Sequence, residues 1–248
     1  YREQLARPYM VDGNLLDELV DEAYERSGQE VRASHILVSV AADASPKDTL
    51  LAWNRIQALR DRVVSGADFA QVARGKGGSE DPSVASNGGD LGWFTAFQMV
   101  YPFESAAFNT PEGEVSEVIR TRFGYHILKV TGKRKARGEV QVAHIMVRMP
   151  SDAPQDQVAN AEGRIQEVLR LLRSGEDFDA LALKYSEDPS TAAKGGLLPW
   201  FGTGKMVEPF EEAAFGLEEV GDLAGPVRTN YGFHIVKLID KKELPSFE

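Results

Sequence analysis

Apolar residues follow two periods along this chain, one typical of strands and one typical of helices. The segment Val31–Val40 is rich in β-branched and apolar side chains, which predicts a strand. Apolar residues three and four positions apart predict a helix over Asp48–Val64 and another over Gln155–Leu172. A Ser-Gly pair follows each of these helices and marks its C-terminal end.

Shorter elements follow the long helices. They are the helices Asp68–Arg74, Asp177–Lys184 and Val100–Phe108 and the strands Leu91–Phe94, Val115–Arg120 and Tyr125–Gly132. Gly88 and Gly89 form a turn before the first of these strands, and we expect the last two strands to close a hairpin around residues 122–124. This order of elements predicts an α+β fold with a small antiparallel or mixed sheet.

The segments around the four histidines recur once along the chain. His35 and His126 return as His144 and His234, each about 108 positions further on, and that period is the size of a domain. Other matched segments are Val31–Val38 with Val140–Val147, Ser65–Phe69 with Ser174–Phe178, Ser79–Ser83 with Ser186–Ser190, and Pro102–Phe108 with Pro209–Phe215. We therefore predict two copies of one domain, over 31–133 and 139–248, joined by a linker at 134–138.

Residues 1–30 precede the repeat and form a separate predicted segment. Asp12 or Asn14 can cap a helix there, its apolar residues run from Leu15 to Tyr24, and Gly28 ends it. This helix has no copy ahead of the second repeat. Two interpretations stay open, the tail of a larger N-terminal chaperone domain and a helix that packs on the first repeat.

Composition narrows the chemistry. The 248 residues carry a formal net charge of −10, which argues against general nucleic-acid binding, and the basic run at 132–138 is interpreted as a solvated linker. Cysteine is absent, which excludes disulfides, thiolate zinc sites and a cysteine nucleophile, and which suits an oxidising compartment such as the periplasm. No apolar run reaches the ~20 residues of a membrane span. Because the chain begins at Tyr1 and not at Met, we expect an upstream signal or anchor.

A set of short motifs recurs in the same order in both copies. These motifs are a histidine on the first strand, Ser-x-Asp before a Gly-Gly turn, Trp-Phe, Met before Pro-Phe-Glu, and Phe/Tyr-Gly-x-His-Ile on the last strand. The set resembles the parvulin family of peptidyl-prolyl isomerases, and the tandem order is similar to periplasmic parvulin-type chaperones of outer-membrane proteins. The resemblance implies two FKBP-like domains, each with a four-stranded, mostly antiparallel sheet and about four helices.

The resemblance also assigns site residues by position. In parvulins two histidines form the floor of the site, with an Asp or Cys and a hydroxyl beside them. The matching catalytic candidates are His35, Asp81, Thr121 and His126, then His144, Asp188, Thr229 and His234. The matching proline-pocket candidates are Leu91, Phe94, Met99 and Phe103, then Leu198, Phe201, Met206 and Phe210. An aromatic side chain beside the hydroxyl is Phe123 in one copy and Tyr231 in the other.

The two copies depart from each other at a few positions. Pro199 replaces a glycine at the rim of the second copy, while the first copy has two extra residues within 73–78 and no counterpart of Tyr185. The Arg/Lys cluster with which some parvulins bind phosphate is missing from the loops at 39–47 and 148–156. These departures leave open which copy is active and argue against phosphate-specific recognition.

The expected chemistry is non-covalent. An X–Pro bond isomerises slowly because its amide must lose resonance, a barrier of ~18–20 kcal/mol, and a catalyst need only favour the twisted amide. We hypothesise that each histidine pair shares one proton and orients the Asp and Thr, without acting as general acid and base. We expect no cofactor and no metal, since two histidines and one Asp per copy are a thin ligand set. The expected partners are unfolded, proline-containing polypeptides.

Three functional alternatives stay open at this point. The first is an isomerase that acts on exposed X–Pro bonds. The second is a holdase that binds extended segments in the same grooves without catalysis. The third is a division of labour, with one active copy and one binding copy. Each site residue also has a structural interpretation, in which the histidines are satisfied core groups and the Asp residues belong to turns.

Overall fold

The computed structural model describes residues 13–243, and its contacts divide the chain into two units between Ala136 and Arg137. The division lies within residues 134–138, where the sequence predicts a linker. The outer bounds of the predicted domains stay predictions.

The first unit contains four strands and five helices among the described residues. In chain order they are α1 (Gly13–Ser27), β1 (Gln29–Ser39), α2 (Pro46–Val64), α3 (Phe69–Arg74), α4 (Val84–Asn87), β2 (Asp90–Phe94), α5 (Tyr101–Asn109), β3 (Ile119–Thr121) and β4 (Gly124–Lys135).

From β1 onward the second unit repeats this order, with a 3₁₀ turn at Ala192–Lys194 where the first has α4. Its other elements are β5 (Glu139–Arg148), α6 (Gln155–Arg173), α7 (Phe178–Tyr185), β6 (Phe201–Gly202), α8 (Glu208–Phe215), β7 (Leu223–Thr229) and β8 (Gly232–Lys242).

Each unit contains one four-stranded sheet with its two long strands in the centre. The strand order is β2-β1-β4-β3 in the first unit and β6-β5-β8-β7 in the second, and every pair of neighbouring strands is antiparallel. The predicted α+β fold with two four-stranded sheets is therefore confirmed. The repeat in the sequence is a repeat of one topology.

Both faces of each sheet are buried. In the first unit Ile36 of β1 packs with Ile56 of α2 on one face, and Ala33 packs with Phe103 of α5 on the other. The corresponding clusters of the second unit form around α6 on one face and α8 on the other. Because side chains alternate along a strand, the two faces belong to alternate residues of the central strands.

Asp side chains cap the short helices where the sequence placed their N-termini. Asp68 and Asp177 each accept the backbone N–H three residues further on, at 2.8 and 2.9 Å, and the helices begin at the next residue. Of the two predicted caps of α1, Asp12 lies outside the described residues and Asn14 lies within the helix.

The helix α1 contacts the first unit through Arg26. Its guanidinium donates to the Ser105 hydroxyl at 2.9 Å and forms ion pairs with Glu22 and Glu104, and the Tyr101 hydroxyl donates to Glu22 at 2.9 Å. Of the two interpretations of residues 1–30, packing on the first repeat matches these contacts.

The predicted strand Val115–Arg120 is wrong in extent. Strand β3 covers only Ile119–Thr121, and Val115 forms a single bridge to Lys129. Between them the Ser116 hydroxyl accepts the Leu128 N–H at 3.1 Å. A side chain thus replaces a backbone partner there and interrupts the ladder, which an apolar pattern cannot indicate.

The Gly-Gly turn generates a testable prediction. Gly89 has a φ of 90°, and a Cβ there would lie 2.4 Å from the His35 carbonyl oxygen, whereas Gly92 has a φ of 70° and open space around it. We expect Gly92→Ala to lower the free energy of unfolding by about 1–2 kcal/mol through backbone strain alone. Gly89→Ala adds a clash against the strand that carries His35, so we expect a larger loss.

Urea unfolding followed by tryptophan fluorescence measures both changes. Gly92→Ala is the matched control, because it also places a Cβ at positive φ but without the clash. Equal losses for the two variants would contradict the prediction.

Candidate active sites

The register of the central strands brings each histidine pair together. His126 pairs with Leu37 on β1, two positions after His35. In the same way His234 pairs with Met146 on β5, two positions after His144. Because side chains alternate, both members of a pair lie on one face as diagonal neighbours. Their ring centroids are 5.7 and 5.6 Å apart, with the ring planes 19° and 13° from parallel.

The loop that carries the candidate Asp is hydrogen-bonded to the first strand of each unit. In the first unit the Leu37 N–H donates to the Ser79 hydroxyl at 3.1 Å, and the Glu80 N–H donates to the Leu37 carbonyl at 2.8 Å. The Ser39 N–H donates to the Glu80 carboxylate at 2.7 Å. These contacts hold Asp81, the next residue, beside the histidine floor.

The same motif, Ser-Glu-Asp, makes the same contacts in the second unit. The Met146 N–H donates to the Ser186 hydroxyl at 3.2 Å, and the Glu187 N–H donates to the Met146 carbonyl at 2.7 Å. The Arg148 N–H donates to the Glu187 carboxylate at 2.7 Å. The Ser-Glu-Asp motif therefore recurs because each copy holds the Asp loop on the first strand of its unit.

In the first site, each histidine has one side-chain partner. His35 Nε2 lies 3.0 Å from Asp81 Oδ2, and His126 Nε2 lies 2.7 Å from the Thr121 hydroxyl. The Phe123 N–H donates to the same hydroxyl at 3.1 Å. Neither histidine Nδ1 has a hydrogen-bond partner within the described part of the chain. Two polar chains therefore start from opposite ends of this site without meeting.

The second site joins the corresponding groups into one chain. His144 Nε2 lies 2.9 Å from Asp188 Oδ2, His234 Nε2 lies 2.9 Å from the Thr229 hydroxyl, and the two Nδ1 atoms are 3.3 Å apart. The Thr191 hydroxyl donates to Asp188 at 2.5 Å and lies 3.2 Å from His144 Nε2. Val84 is the counterpart of Thr191 in the first unit and cannot make either contact.

A buried phenylalanine packs edge-on against each histidine pair. The Phe103 centroid is 5.7 Å from His35 and 5.5 Å from His126, at interplanar angles of 86° and 75°. Phe210 has the same geometry in the second site. This ring separates the polar floor from the apolar wall of the groove.

Burial, with a smaller contribution from the charge of the facing histidine, lowers the pKa of His126 and of His234 to about 4. Burial also lowers the pKa of His35, although Asp81 opposes the change. These three imidazoles are therefore neutral at pH 7.

The pKa values of the two Asp carboxyl groups are lowered, so both groups are ionised at pH 7. Partial burial alone would raise the pKa of Asp81, but hydrogen bonds from Ser83 and His35 outweigh it and hold the pKa below its usual range. In the second site burial again raises the pKa of Asp188. Hydrogen bonds from Thr191, Ser190 and His144 outweigh this effect and hold the pKa well below its usual range. Each site thus presents an ionised carboxylate beside its histidine pair.

A cavity of about 500 Å³ lies over the first histidine pair. The sequence-predicted residues that line it are His35, Asp81, Leu91, Met99, Phe103, Phe123 and His126. A cavity of about 630 Å³ lies over the second pair. The sequence-predicted residues that line it are His144, Asp188, Leu198, Met206, Phe210, Tyr231 and His234.

Four predicted site residues do not line the cavities. Phe94 and Phe201 are buried in the core clusters beside the pocket phenylalanines, so they support the wall from behind. Thr121 and Thr229 are also buried and reach the sites only through their histidines. The assignment of Phe94 and Phe201 to the surface of the proline pocket does not match their placement.

Other lining residues escaped the sequence analysis. In the first cavity they include Gln98 and Arg122, and in the second they include Arg148, Lys205 and Met149. Their positions are on rims and loops, where neither periodicity nor the family motifs select them. Comparing the two copies position by position could have found the rim differences, since Gln98 corresponds to Lys205.

Residues 13–243 contain neither a metal-binding cluster of side chains nor a membrane-spanning helix. No cluster of three or more His, Asp or Glu side chains in that range has the arrangement of a metal site. None of the helices in that range has the length and apolar character needed to cross a bilayer.

Comparisons with known proteins match both units. The family model of the PPIC-type PPIase domain matches residues 21–134 and 127–242. The chain is 32% identical over 248 residues to chaperone SurA of Chromohalobacter salexigens, a match that covers 97% of this chain and 55% of that protein. It is 34% identical over 224 residues to chaperone SurA of Pseudomonas aeruginosa, covering 89% of this chain and 52% of that protein. The chain thus spans about half the length of the curated relatives it matches.

Solved structures with a similar sequence include peptidylprolyl isomerase PrsA from Bacillus cereus. It is 46% identical, covers 44% of this chain and 37% of its own, and has a TM-score of 0.36. NmPin, the parvulin of Nitrosopumilus maritimus, is 34% identical, covers 42% of this chain and 97% of its own, and has a TM-score of 0.33. Because the family model covers both units, the chain belongs to the PPIC-type peptidyl-prolyl isomerase family, with two domains of that family in tandem.

Proposed function

We propose that this chain is a peptidyl-prolyl cis–trans isomerase that also acts as a folding chaperone. The observation that carries the proposal is the duplicated site, in which an ionised Asp lies on a buried histidine pair beside an apolar groove. Its family and its chaperone relatives support the same function. The proposed clients are unfolded, proline-containing polypeptides, outer-membrane proteins among them. We propose an extracytoplasmic location, in line with the periplasmic chaperones that the sequence resembles.

The proposed mechanism is stabilisation of the twisted amide without covalent bonds. Phe103 and Met99, or Phe210 and Met206, hold the proline ring by apolar contact while the preceding carbonyl rotates. The twisted amide loses resonance, so its nitrogen gains basicity and its carbonyl changes polarity. The Asp carboxylate responds electrostatically to that change, and a field fixed before the reaction costs no reorganisation during it.

Hydrogen-bond logic gives the second site a single proton arrangement. A carboxylate can only accept, so His144 Nε2 carries the proton that points to Asp188. In the proposed arrangement this is the one ring proton of His144, so its Nδ1 accepts from His234 Nδ1–H at 3.3 Å. His234 Nε2 in turn accepts from the Thr229 hydroxyl. We propose that this chain, with one proton between the two imidazoles, fixes the position and charge of Asp188.

We further propose a division of labour in which the second domain carries the larger share of catalysis. The observation that favours it is the unbroken chain from Asp188 to Thr229, whereas in the first site neither histidine Nδ1 has a hydrogen-bond partner among residues 13–243. Thr191 also holds Asp188 in place and has no polar counterpart in the first domain. The first domain keeps the groove and is proposed to bind chain segments as well.

Removal of the Asp tests the enzymatic proposal. We expect Asp188→Ala to reduce catalysis of a proline-limited refolding reaction roughly 10- to 100-fold, the size expected when a charged hydrogen-bonding group is lost. Asp81→Ala should have a smaller effect on the full chain, because its domain carries the smaller share. Asp188→Asn keeps the shape but lacks the charge, and should behave like Asp188→Ala.

Asp43→Ala and Asp152→Ala are matched controls, since both residues are exposed and far from the anchored Ser-Glu-Asp loops in sequence. If the unchanged chain suppresses aggregation but does not accelerate refolding, the holdase alternative replaces the isomerase. Equal losses for Asp81→Ala and Asp188→Ala would contradict the division of labour.

The pH dependence follows from the histidine pKa values. His126 and His234 titrate near pH 4 in the folded chain and near 6.5 when unfolded. Because the unfolded state binds more protons between these values, the stabilisation is complete above about pH 6.5 and is lost as the pH falls towards 4. Each histidine contributes on the order of 3 kcal/mol to that loss.

The isomerisation rate should be flat between about pH 6 and 8.

Urea unfolding at pH 7.5, 5.5 and 4.5 and a pH–rate profile measure the two effects. The variant His234→Gln cannot titrate, so its unfolding free energy should fall less steeply over the same interval. A bell-shaped pH–rate profile centred near pH 7 would instead indicate general acid–base catalysis by the histidines.

A further inference from the structure

Phe97 occupies a backbone conformation that favours glycine. Its φ is 66°, and within the described residues no other non-glycine residue has a positive φ. A left-handed conformation brings the Cβ of an L-residue close to the following carbonyl oxygen, so it lowers stability. The side chain is also 78% exposed, so little burial offsets the strain. Such a residue at the rim of a groove points to a role in binding.

The turn around Phe97 does not itself require an aromatic residue. The Phe97 N–H donates to the buried Glu104 carboxylate at 2.7 Å, and in the second domain the Gly204 N–H donates to Glu211 at 2.8 Å. Gly204 has a φ of 77°, so the same turn is made there by the residue that this conformation favours. The first domain has Phe at this place although glycine would fold more easily.

Phe97 faces a small cavity beside the first groove. This cavity has a volume of about 190 Å³ and lies between α1 and the loop that precedes α5. Leu19, Ala23 and Tyr101 contribute to its walls, and Met99 lines both this cavity and the first groove. Met99 therefore lies between the two cavities, and the cavities adjoin each other on one surface.

The surface of this small cavity is mostly apolar, and its charged residues are paired with one another. Its charged wall residues are Glu22, Arg26 and Glu104, and Arg26 pairs with both carboxylates. The apolar side chains around it are unusually exposed for their type, with Leu19 at 39% and Tyr101 at 54%. An apolar occupant would cover them without leaving an unpaired charge buried.

The second domain lacks this arrangement. Gly204 and Glu208 stand where the first domain has Phe97 and Tyr101, and no copy of α1 precedes the second repeat in the sequence. Lys205 replaces Gln98 on the same rim. The two domains thus differ at the rim of the groove and share the histidine floor. A rim difference changes which side chains of a bound segment are contacted, so we expect it to change substrate preference.

We propose that Phe97, Leu19 and Tyr101 form a specificity subsite of the first groove. It takes a large apolar side chain of the same extended polypeptide segment whose proline lies against Phe103. An unfolded segment fits this role because it exposes large apolar side chains, and its successive residues advance by only ~3.3 Å. The inference rests on the proposed peptidyl-prolyl function and adds to it a substrate preference for the first domain alone.

Peptide binding to the full chain tests the subsite. Fluorescence anisotropy compares labelled peptides with one proline and a single Phe placed at each position from four before to four after it, each matched to an Ala peptide. At the best position we expect the Phe peptide to bind about fivefold more tightly, the effect of partly burying one such side chain. Phe97→Gly and Phe97→Asn should reduce this preference to less than about twofold. The Phe97 variants leave the second groove unchanged, so the loss of preference relative to the unchanged chain reports on the first groove.

Stability separates a binding role from a structural one. Phe97→Gly and Phe97→Asn relieve the left-handed strain, so their urea midpoints should rise or stay unchanged while the preference is lost. Phe97→Ala keeps the strain and should also lose the preference. Leu50→Ala, which removes an exposed apolar side chain from α2 of the same domain, should leave the preference intact.

Each outcome decides the proposal. An unchanged preference in Phe97→Gly and Phe97→Asn would overturn the subsite, as would a loss of stability in both variants. If the unchanged chain self-associates in sedimentation experiments and Phe97→Gly does not, the surface is a contact between copies and the subsite is wrong. If the unchanged chain binds Phe and Ala peptides equally, only the subsite fails. If it binds neither, the proposed function itself fails.

Discussion

The structure of both sites depends on the pairing register of two central antiparallel strands. That register places His126 opposite the residue two positions beyond His35, and His234 opposite the residue two positions beyond His144. A shift by one residue would turn one histidine of each pair to the opposite face of the sheet, where α2 or α6 packs. The fully buried apolar residues on that face hold the register, because any slip would expose them. The core thus fixes the geometry of the polar floor.

The anchored Ser-Glu-Asp loop adds the third group by a similar constraint. Its serine and glutamate satisfy backbone groups at the end of the first strand, and this leaves the Asp beside the nearest histidine. The close approach of the Gly-Gly turn to the histidine backbone fixes the other side of the same strand. The result is a carboxylate that its hydrogen-bond donors keep ionised against the effect of burial, whereas burial keeps the imidazoles of His35, His126 and His234 neutral.

The two domains share this frame and differ around it. Thr191 and the close Nδ1 atoms complete a polar chain in the second domain, whereas Phe97 and Tyr101 extend the apolar rim of the first. These differences fall on loops and rims, where a substitution does not disturb the core. A duplicated fold can therefore carry two different sites without any change in topology.

The sequence by itself determined the repeat, the α+β class, the main helices and strands, and the histidine and Asp candidates that the structure brings together. Those features follow from local periodicity and from motifs that recur in one order. Only the tertiary structure decided that Phe94 and Phe201 pack behind the pocket, that β3 is short, and that Thr191 joins the second polar chain. Apolar periodicity shows that a side chain is buried, but not whether it ends in the core or at a cavity wall. That distinction, like the left-handed turn at Phe97, depends on contacts between residues far apart in sequence.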